Sequence, residues 1–369
     1  MNFFMPVKLF TGDGCIAKEQ ALFHSLGKRC VLVTGPHAAE KSGALKDVTE
    51  LLHLEDIDFS VFNEICQNPT VESCIQAGKA ARETNADFII GIGGGSAMDA
   101  AKAAAVFAAN PELDENGFYS GKWQNKPLPV LLVGTTSGTG SEVTKVSVLT
   151  DSRHRKHSIK DDRLFALASF GDSRYTRELP LPITLSTGVD VLAHCAESYF
   201  SKKADEISRG FAVRGIRLLF DPLLAAAEGK PLTPQQREQL YQASIFGGLA
   251  INTTSTCFPH NVGYFLTEWY GVPHGVACAT FLPDLFLYEE DFDPAYTESF
   301  YREVGLNKEE VLALIGKCLP KNTISLTEEE IRLLLPRWEN NGSVNNTRGT
   351  VDIAFIFNVL KDKYLIKGE

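Results

Sequence analysis

Asp87-Phe88-Ile89-Ile90-Gly91-Ile92-Gly93-Gly94-Gly95-Ser96 is the stretch whose reading decides the fold. After Asp87, residues 88–92 are apolar and rich in isoleucine, the pattern of a strand buried on both faces. Three glycines and a serine make a turn, and the Ala-rich run 97–109 predicts a helix with Asp99 in its first turn. A glycine turn lets backbone approach a ligand closely, and a helix start offers unpaired N–H groups at a positive dipole end. The unit therefore reads as strand, turn, helix and anion site, most naturally for a pyrophosphate. Alone it is a weak signal. The glycine spacing matches neither GxGxxG nor GxxxxGKS/T, and a tight, closely packed turn explains it as well.

Working outward, similar units flank it. Residues 30–34 form a short apolar run that leads into Gly35-Pro36-His37, and 59–62 and 6–10 read as further strands. A helix is predicted over 17–26, and another begins after Asn68-Pro69, with Thr70 as N-cap and Glu72 in the first turn. Residues 130–133 form a strand that enters Gly134-Thr135-Thr136-Ser137-Gly138-Thr139-Gly140-Ser141-Glu142-Val143-Thr144, and 146–149 reads as one more. Strands alternating with helices predict a parallel sheet covered on both faces, with a ligand crevice at the carboxyl ends of its strands. Thr34/Gly35, Gly93–Ser96 and Gly134–Ser137 all sit at such ends. That convergence favours a nucleotide.

After Asp172 the pattern changes. Glu178-Leu179-Pro180-Leu181-Pro182 reads as a proline-stiffened hinge, and the remainder of the chain reads as helices, among them 206–227, 234–254, 308–318, 328–335 and 351–361. Thr233 and Thr327 stand as N-caps. The expected organisation is an α/β dinucleotide-binding domain over 1–177 and an all-helical domain over 178–369. Within the second domain, Asp190 and His194 stand four apart, on one helical face, and His260 and His274 come later, each directly after a proline. One Asp and three His form a donor set for Fe(II) or Zn(II) rather than Ca(II) or Mg(II).

Composition sets the outer bounds. The 369 residues are 44% hydrophobic and 22% charged, as in a globular protein, and no apolar run reaches membrane-spanning length. The start lacks the features of a signal peptide, so a cytoplasmic enzyme is expected. A net charge of −10 with no basic block argues against nucleic acid or an anionic membrane as partner. Eight cysteines occur without a CxxC pair, which is neither a disulfide framework nor a thiolate zinc site. Cys195, Cys257 and Cys278 lie near the candidate ligands in sequence and read as small apolar filler. Phe258, Phe265 and Trp269 read as core aromatics rather than a substrate wall.

Taken together, Gly93-Gly94-Gly95-Ser96-Ala97-Met98-Asp99-Ala100-Ala101-Lys102, Thr135 to Thr144, Thr187-Gly188-Val189-Asp190 with His194, His260 ahead of Gly263-Tyr264, and Pro273-His274-Gly275 resemble the iron-dependent, group III alcohol dehydrogenases of the dehydroquinate synthase-like superfamily. The resemblance implies a Rossmann-like domain followed by a helical metal domain. It implies a metal, usually Fe(II) and sometimes Zn(II), on Asp190, His194, His260 and His274. It implies cofactor contacts at Gly94, Gly95 and Ser96, and a cofactor site lined by Asn68, Thr135, Thr136, Thr139 and Lys156. Asp99 and Gly35 complete the expected cofactor set, Asp99 from the first turn of its helix and Gly35 from the end of its strand. The implied activity is hydride transfer between a nicotinamide and a primary alcohol or aldehyde.

Two departures from the family pattern bear on specificity. Tyr264 stands where many members carry a further His, and Gly35 stands where many NAD-preferring members carry an Asp for the ribose 2′-OH. Without that carboxylate a 2′-phosphate is not repelled, and Lys41 or His37 can pair with it, so NADP(H) is expected over NAD(H). The competing readings are a reductase of a 2-oxo or maleylacetate-like acid, a dehydroquinate-synthase-like lyase, and a non-catalytic binding protein. A homodimer is expected, with the apolar Phe3-Phe4-Met5 start set against a neighbouring subunit's sheet edge.

Overall fold

The computed structural model describes residues 3–366. Its first half is built on eight strands: β1 (Lys8–Thr11), β2 (Arg29–Thr34), β3 (Asp58–Phe62), β4 (Phe88–Gly93), β5 (Val130–Gly134), β6 (Val146–Thr150), β7 (Lys156–Lys160) and β8 (Ala168–Gly171). Six of them form one sheet in the order β1-β8-β5-β4-β2-β3, and every pairing is parallel. From β2 the chain steps outward to β3 and then returns to place β4 on the other side of β2. The order reverses there, beyond the carboxyl ends of β2 and β4, which is where open α/β sheets bind their ligands. Thr34 and Gly93 end those two strands.

The sheet is covered on both faces because its central strands are almost wholly apolar, with no polar alternation to turn toward water. Val31, Val33, Ile89 and Leu132 pack on one side with the Ala-rich Gly95–Ala109 helix. Leu32, Ile90, Ile92, Leu131 and Val133 pack on the other. Small residues bring the helices close: a Cβ on Gly78 of the Val71–Glu83 helix would stand 2.8 Å from Phe107 Cβ, and one on Gly91 would stand 2.6 Å from Ala101 Cβ.

From Leu181 onward the described chain is helical apart from isolated bridges, and one core runs from Val189 to Tyr364. A small seam joins the halves, with Val143 from the first against Tyr241, Ile245 and Leu249 of the Pro234–Thr254 helix.

Some elements differ from expectation. The helix expected over 17–26 is a 3-10 turn, Ile16–Lys18, followed by the short Gln20–His24 helix. Residues 146–150 do not enter the main sheet; they pair antiparallel with β7 in a separate hairpin. β8, which the sequence pattern did not reveal, fills the sheet between β5 and β1. The expected hinge is instead a helix start, with Pro180 as N-cap and Pro182 in the first turn of a helix that runs from Leu181 to Tyr199. Pro is tolerated there because first-turn N–H groups have no intrahelical partner. Phe3 to Met5 pack on their own chain: the Phe3 ring lies 5.4 Å from that of Phe211, and Phe4 O accepts from Asn252 Nδ2 at 3.1 Å.

Candidate metal and cofactor site

The Leu181–Tyr199 helix carries Asp190 and His194 one turn apart, and the Phe258–Tyr270 helix brings His260 in its first turn. His274 opens the short His274–Ala279 helix, which sits directly on the first. Gly275 permits that contact, since a Cβ there would stand 1.9 Å from Ser186 O and 2.7 Å from Asp190 Cβ. The three imidazole Nε2 atoms converge on one oxygen. Asp190 Oδ1 lies 3.8 Å from His194 Nε2, 3.6 Å from His260 Nε2 and 3.9 Å from His274 Nε2. Donors that share an ion at about 2.1 Å stand roughly 3–4 Å apart, so these spacings fit a borderline divalent cation.

The hydrogen bonds point the same way. Asp190 Oδ1 and His260 Nε2 are buried and have no hydrogen-bond partner in the chain. A buried polar atom left unpaired costs about 1–3 kcal/mol, and two facing each other call for a shared partner. Burial disfavours charge on Asp190, but the imidazoles of His194, His274 and His260 outweigh it and hold the carboxyl below its usual range. Burial pushes His194 down to about 4 against the pull of Asp190. It also holds His274 well below its usual value, with the Lys156 cation adding to the effect. Two neutral imidazoles and an ionised carboxylate are the protonation states that metal ligation needs.

The cage opens on one side only. Asp190, His194 and His260 keep at most 6% of their side-chain surface, whereas His274 keeps 25%. Beside it stands Tyr264, whose ring centroid lies 5.6 Å from that of His274, and Lys156 Nζ lies 5.1 Å from the Tyr264 ring.

The expected cofactor residues fall into two groups. At the end of β4, Gly93 takes a positive φ of 154°, and the helix begins at Gly95, earlier than the sequence suggested. Thr136 and Thr139 lie directly over the two glycines after it: a Cβ on Gly94 would stand 3.0 Å from Thr136 Oγ1, and one on Gly95 would stand 2.6 Å from Thr139 Cγ2. Thr135 N donates to Gly93 O at 2.9 Å. Asn68 N donates to Ser96 Oγ at 3.2 Å, which closes the turn from the other side. Gly35 stands just past β2, where a Cβ would lie 3.0 Å from Ile65 O.

Asp99 and Lys156 stand apart from this turn. The Asp99 carboxylate faces inward, with Oδ1 accepting from Ser141 Oγ at 2.6 Å and Oδ2 from Val148 N at 2.9 Å. Buried Lys102 reinforces the same contact by donating to Ser141 O, Ser141 Oγ, Thr144 O and Val146 O. Asp99 thus ties the helix to the 141–148 segment. Lys156 leans toward the helical half, its backbone N donating to Glu268 Oε1 at 2.9 Å.

The two groups and the cage adjoin. A Cβ on Gly138 would stand 2.6 Å from Thr187 Cβ, so the hydroxyl-rich loop after β5 rests on the helix one turn ahead of Asp190. Phe258 and Phe265 are buried core residues as expected, and Trp269 is half exposed.

Sequence reasoning missed Glu197 and the second set of contacts made by Cys278. Glu197 is wholly buried and hydrogen-bonded to His260 Nδ1 through Oε1. The spacing 190, 194, 197, which puts all three on one helical face, was the signal available. Cys278 lies in the apolar core of the helical half, as expected, and its thiol also meets polar groups. Its Sγ lies among the candidate ligands, in a group of donor atoms within 4.8 Å of one another that contains Asp190, His260, His274 and Cys278 but not His194. Cys195 does sit in the apolar core, and Cys257 Sγ is spent on Glu197 O at 3.1 Å.

Known proteins resemble this chain in sequence and fold. Residues 6–173 match the family model described as iron-containing alcohol dehydrogenase, and 184–334 match the C-terminal model of the Fe-containing alcohol dehydrogenase family. The chain is 31% identical over 287 residues to alcohol dehydrogenase 4 of Saccharomyces cerevisiae, covering 76% of this chain and 74% of that protein. An iron-containing alcohol dehydrogenase from Thermotoga maritima superposes with a TM-score of 0.90 at 31% identity, over 98% of this chain and 99% of that one. Sulfoacetaldehyde reductase from Bifidobacterium kashiwanohense, solved with NAD+, superposes with a TM-score of 0.86 at 28% identity over 98% of both chains. The parallel sheet with its glycine turn, the helical half with its cage of one Asp and three His, and these matches agree, and the chain belongs to the iron-containing alcohol dehydrogenase family.

Proposed function

We propose that the protein moves a hydride between NADP(H) and a primary alcohol or aldehyde, with Fe(II) held by Asp190, His194, His260 and His274. The observation that carries the reading is the convergence of three imidazole Nε2 atoms on the unpartnered Asp190 Oδ1, at a cage open only beside His274. A metal bound there supplies Lewis acidity toward the substrate oxygen. The nicotinamide supplies or accepts the hydride.

The chain's own residues do the rest. The turn at Gly94, Gly95 and Ser96 offers helix N–H groups to a pyrophosphate, with Asn68, Thr135, Thr136 and Thr139 around it. The contact of Gly138 with Thr187 sets the cofactor crevice against the cage. Tyr264 and Lys156 flank the open side and shield it from water. Burial keeps the Tyr264 phenol protonated far above neutral pH, so it serves as a hydrogen-bond donor rather than a base. No side chain is needed as nucleophile.

NADP(H) is favoured because Gly35 presents no carboxylate to a 2′-phosphate, while His37 and Lys41 stand within a few residues of it. The division near residues 177 and 178 is supported by the separate cores on either side of it. Eight free cysteines and no membrane-length apolar helix among the described residues support a cytoplasmic location. The edge position of β1 supports a homodimer, which sedimentation at micromolar concentration tests.

An anaerobic initial-rate assay of the Fe(II)-loaded protein, with a short aliphatic aldehyde and either NADPH or NADH, tests the function. The expected result is a metal-dependent rate, faster with NADPH and lost in His274→Ala. No turnover with either cofactor in metal-bearing protein would shift the assignment to keto-acid reduction or the lyase.

A further inference from the structure

We propose that Cys278 is a fifth donor to the metal, a thiolate beside Asp190 and the three histidines. This rests on the metal reading above and adds a ligand to it. Cys278 stands four residues after His274, so the two side chains share one face of the His274–Ala279 helix. Its Sγ lies 3.5 Å from His274 Nδ1 and 3.8 Å from His274 Nε2, and it belongs to the set of four donor atoms within 4.8 Å of one another. A sulfur at about 2.3 Å and a nitrogen at about 2.0–2.1 Å from one ion stand at such a distance.

A second observation is independent of the cysteine. Asp190 Oδ1 and His260 Nε2, both buried and unpartnered, point into the same space. Cys278 is itself wholly buried, and its hydrogen-bond partners are the ring nitrogens of His274. The neighbouring thiols differ in their polar contacts: Cys257 gives its proton to a backbone carbonyl, whereas Cys278, in the same apolar core as Cys195, has the ring nitrogens of His274 as its partners.

On binding, the S–H bond breaks, the metal–sulfur bond forms and the proton leaves to solvent, with no change of oxidation state. Two consequences result. A thiolate is a softer ligand than carboxylate or imidazole, so the centre gains affinity for Zn(II) relative to Fe(II). The sulfur, itself buried, also lies beside His274, the ligand that borders the open side, so an incoming alcohol oxygen competes with it.

The test is anaerobic loading of the metal-free full-length protein with one equivalent of Co(II), read by absorption. The expected spectrum shows a near-ultraviolet thiolate-to-cobalt charge-transfer band, which Cys278→Ser and Cys278→Ala abolish while still binding one cobalt per chain. X-ray absorption of the zinc-loaded wild type, which needs no variant, should show one sulfur at about 2.3 Å. Stoichiometric cobalt without the band, or zinc with only nitrogen and oxygen neighbours, overturns the Cys278 assignment and leaves the metal centre intact. A band that survives both substitutions also overturns it. Failure of the wild type to bind either metal overturns the metal reading itself.

Discussion

Glu197 holds His260 from the side away from Asp190. Its Oε1 accepts from His260 Nδ1, while Oε2 accepts from the backbone N–H of Cys257 at 2.7 Å and of His260 at 3.4 Å. When Nδ1 carries the proton that Glu197 accepts, the neutral ring presents its lone pair at Nε2, which is the atom that faces Asp190. A carboxylate in this position fixes tautomer and ring orientation and raises the basicity of the ligating nitrogen.

Replacing Glu197 should therefore weaken the metal site without touching a ligand. Glu197→Ala is expected to lose roughly 10–100-fold in Zn(II) affinity, measured by competition with a chromophoric chelator. Glu197→Gln should lose less, since its carbonyl can still accept from Nδ1 while its amide faces the Cys257 N–H. Wild-type affinity in Glu197→Ala would show that His260 needs no such support.

Gly275 is a packing requirement rather than a flexible joint. A Cβ there meets Ser186 O at 1.9 Å and Asp190 Cβ at 2.7 Å, both on a fully packed helix that cannot give way locally. Gly275→Ala is expected to drive the His274 helix off its neighbour, costing about 3 kcal/mol or more in urea unfolding and abolishing stoichiometric metal binding. Retained metal at one per chain would mean that the two helices can separate without dispersing the ligands.

Much of this was legible in the sequence where the cause is local. Asp190 and His194 announce themselves because four residues make one helical turn. β2, β4 and β5 do so because strands buried on both faces must be apolar throughout. Where tertiary contacts decide, the sequence is silent. β8 is only Ala168-Ser169-Phe170-Gly171, and its Ser169 is tolerated in a buried strand because Oγ donates to Glu142 O, 27 residues away. β7 buries only Ile159 of its five residues, too little apolar pattern to mark a strand in the sequence. Glu197 finds His260 across 63 residues, and Cys278 takes its meaning from two helices it meets only after folding. Gly35 is the reverse case: its position was clear from the strand before it, and its effect on cofactor choice is for experiment.

Gly35→Asp should turn that choice toward NADH. The new carboxylate would face the ribose, accept a hydrogen bond from a 2′-OH and repel a 2′-phosphate. The added Cβ meets Ile65 O at 3.0 Å, which asks for a shift of a few tenths of an ångström in that loop. The expected outcome is a rise of about tenfold or more in KM for NADPH, in line with the loss of roughly 1.4 kcal/mol of binding, with KM for NADH unchanged or lower. Parallel losses for both cofactors would indicate a displaced loop and remove Gly35 from the specificity argument.

Glu289 gives the fold a pH dependence that is independent of the metal. It is buried on the Leu282–Phe292 helix with Oε1 unpartnered, and Oε2 lies 3.3 Å from the Arg348 guanidinium. Burial pushes its carboxyl up from 4.5 to about 7, against the lowering effect of Arg348. The folded chain therefore holds a proton there that the unfolded chain has already released between those two values. Stability should fall as pH rises through that window and level off above about 7. Glu289→Gln removes the titration and leaves Arg348 paired with Asp293 at 2.8 Å and stacked over Tyr296 at 3.7 Å. The variant should match or trail the wild type at pH 5 and gain about 1–2 kcal/mol on it by pH 8, read from urea midpoints across the range. Parallel pH profiles for the two proteins would mean that Arg348 keeps Glu289 ionised throughout, and that burial does not govern its titration.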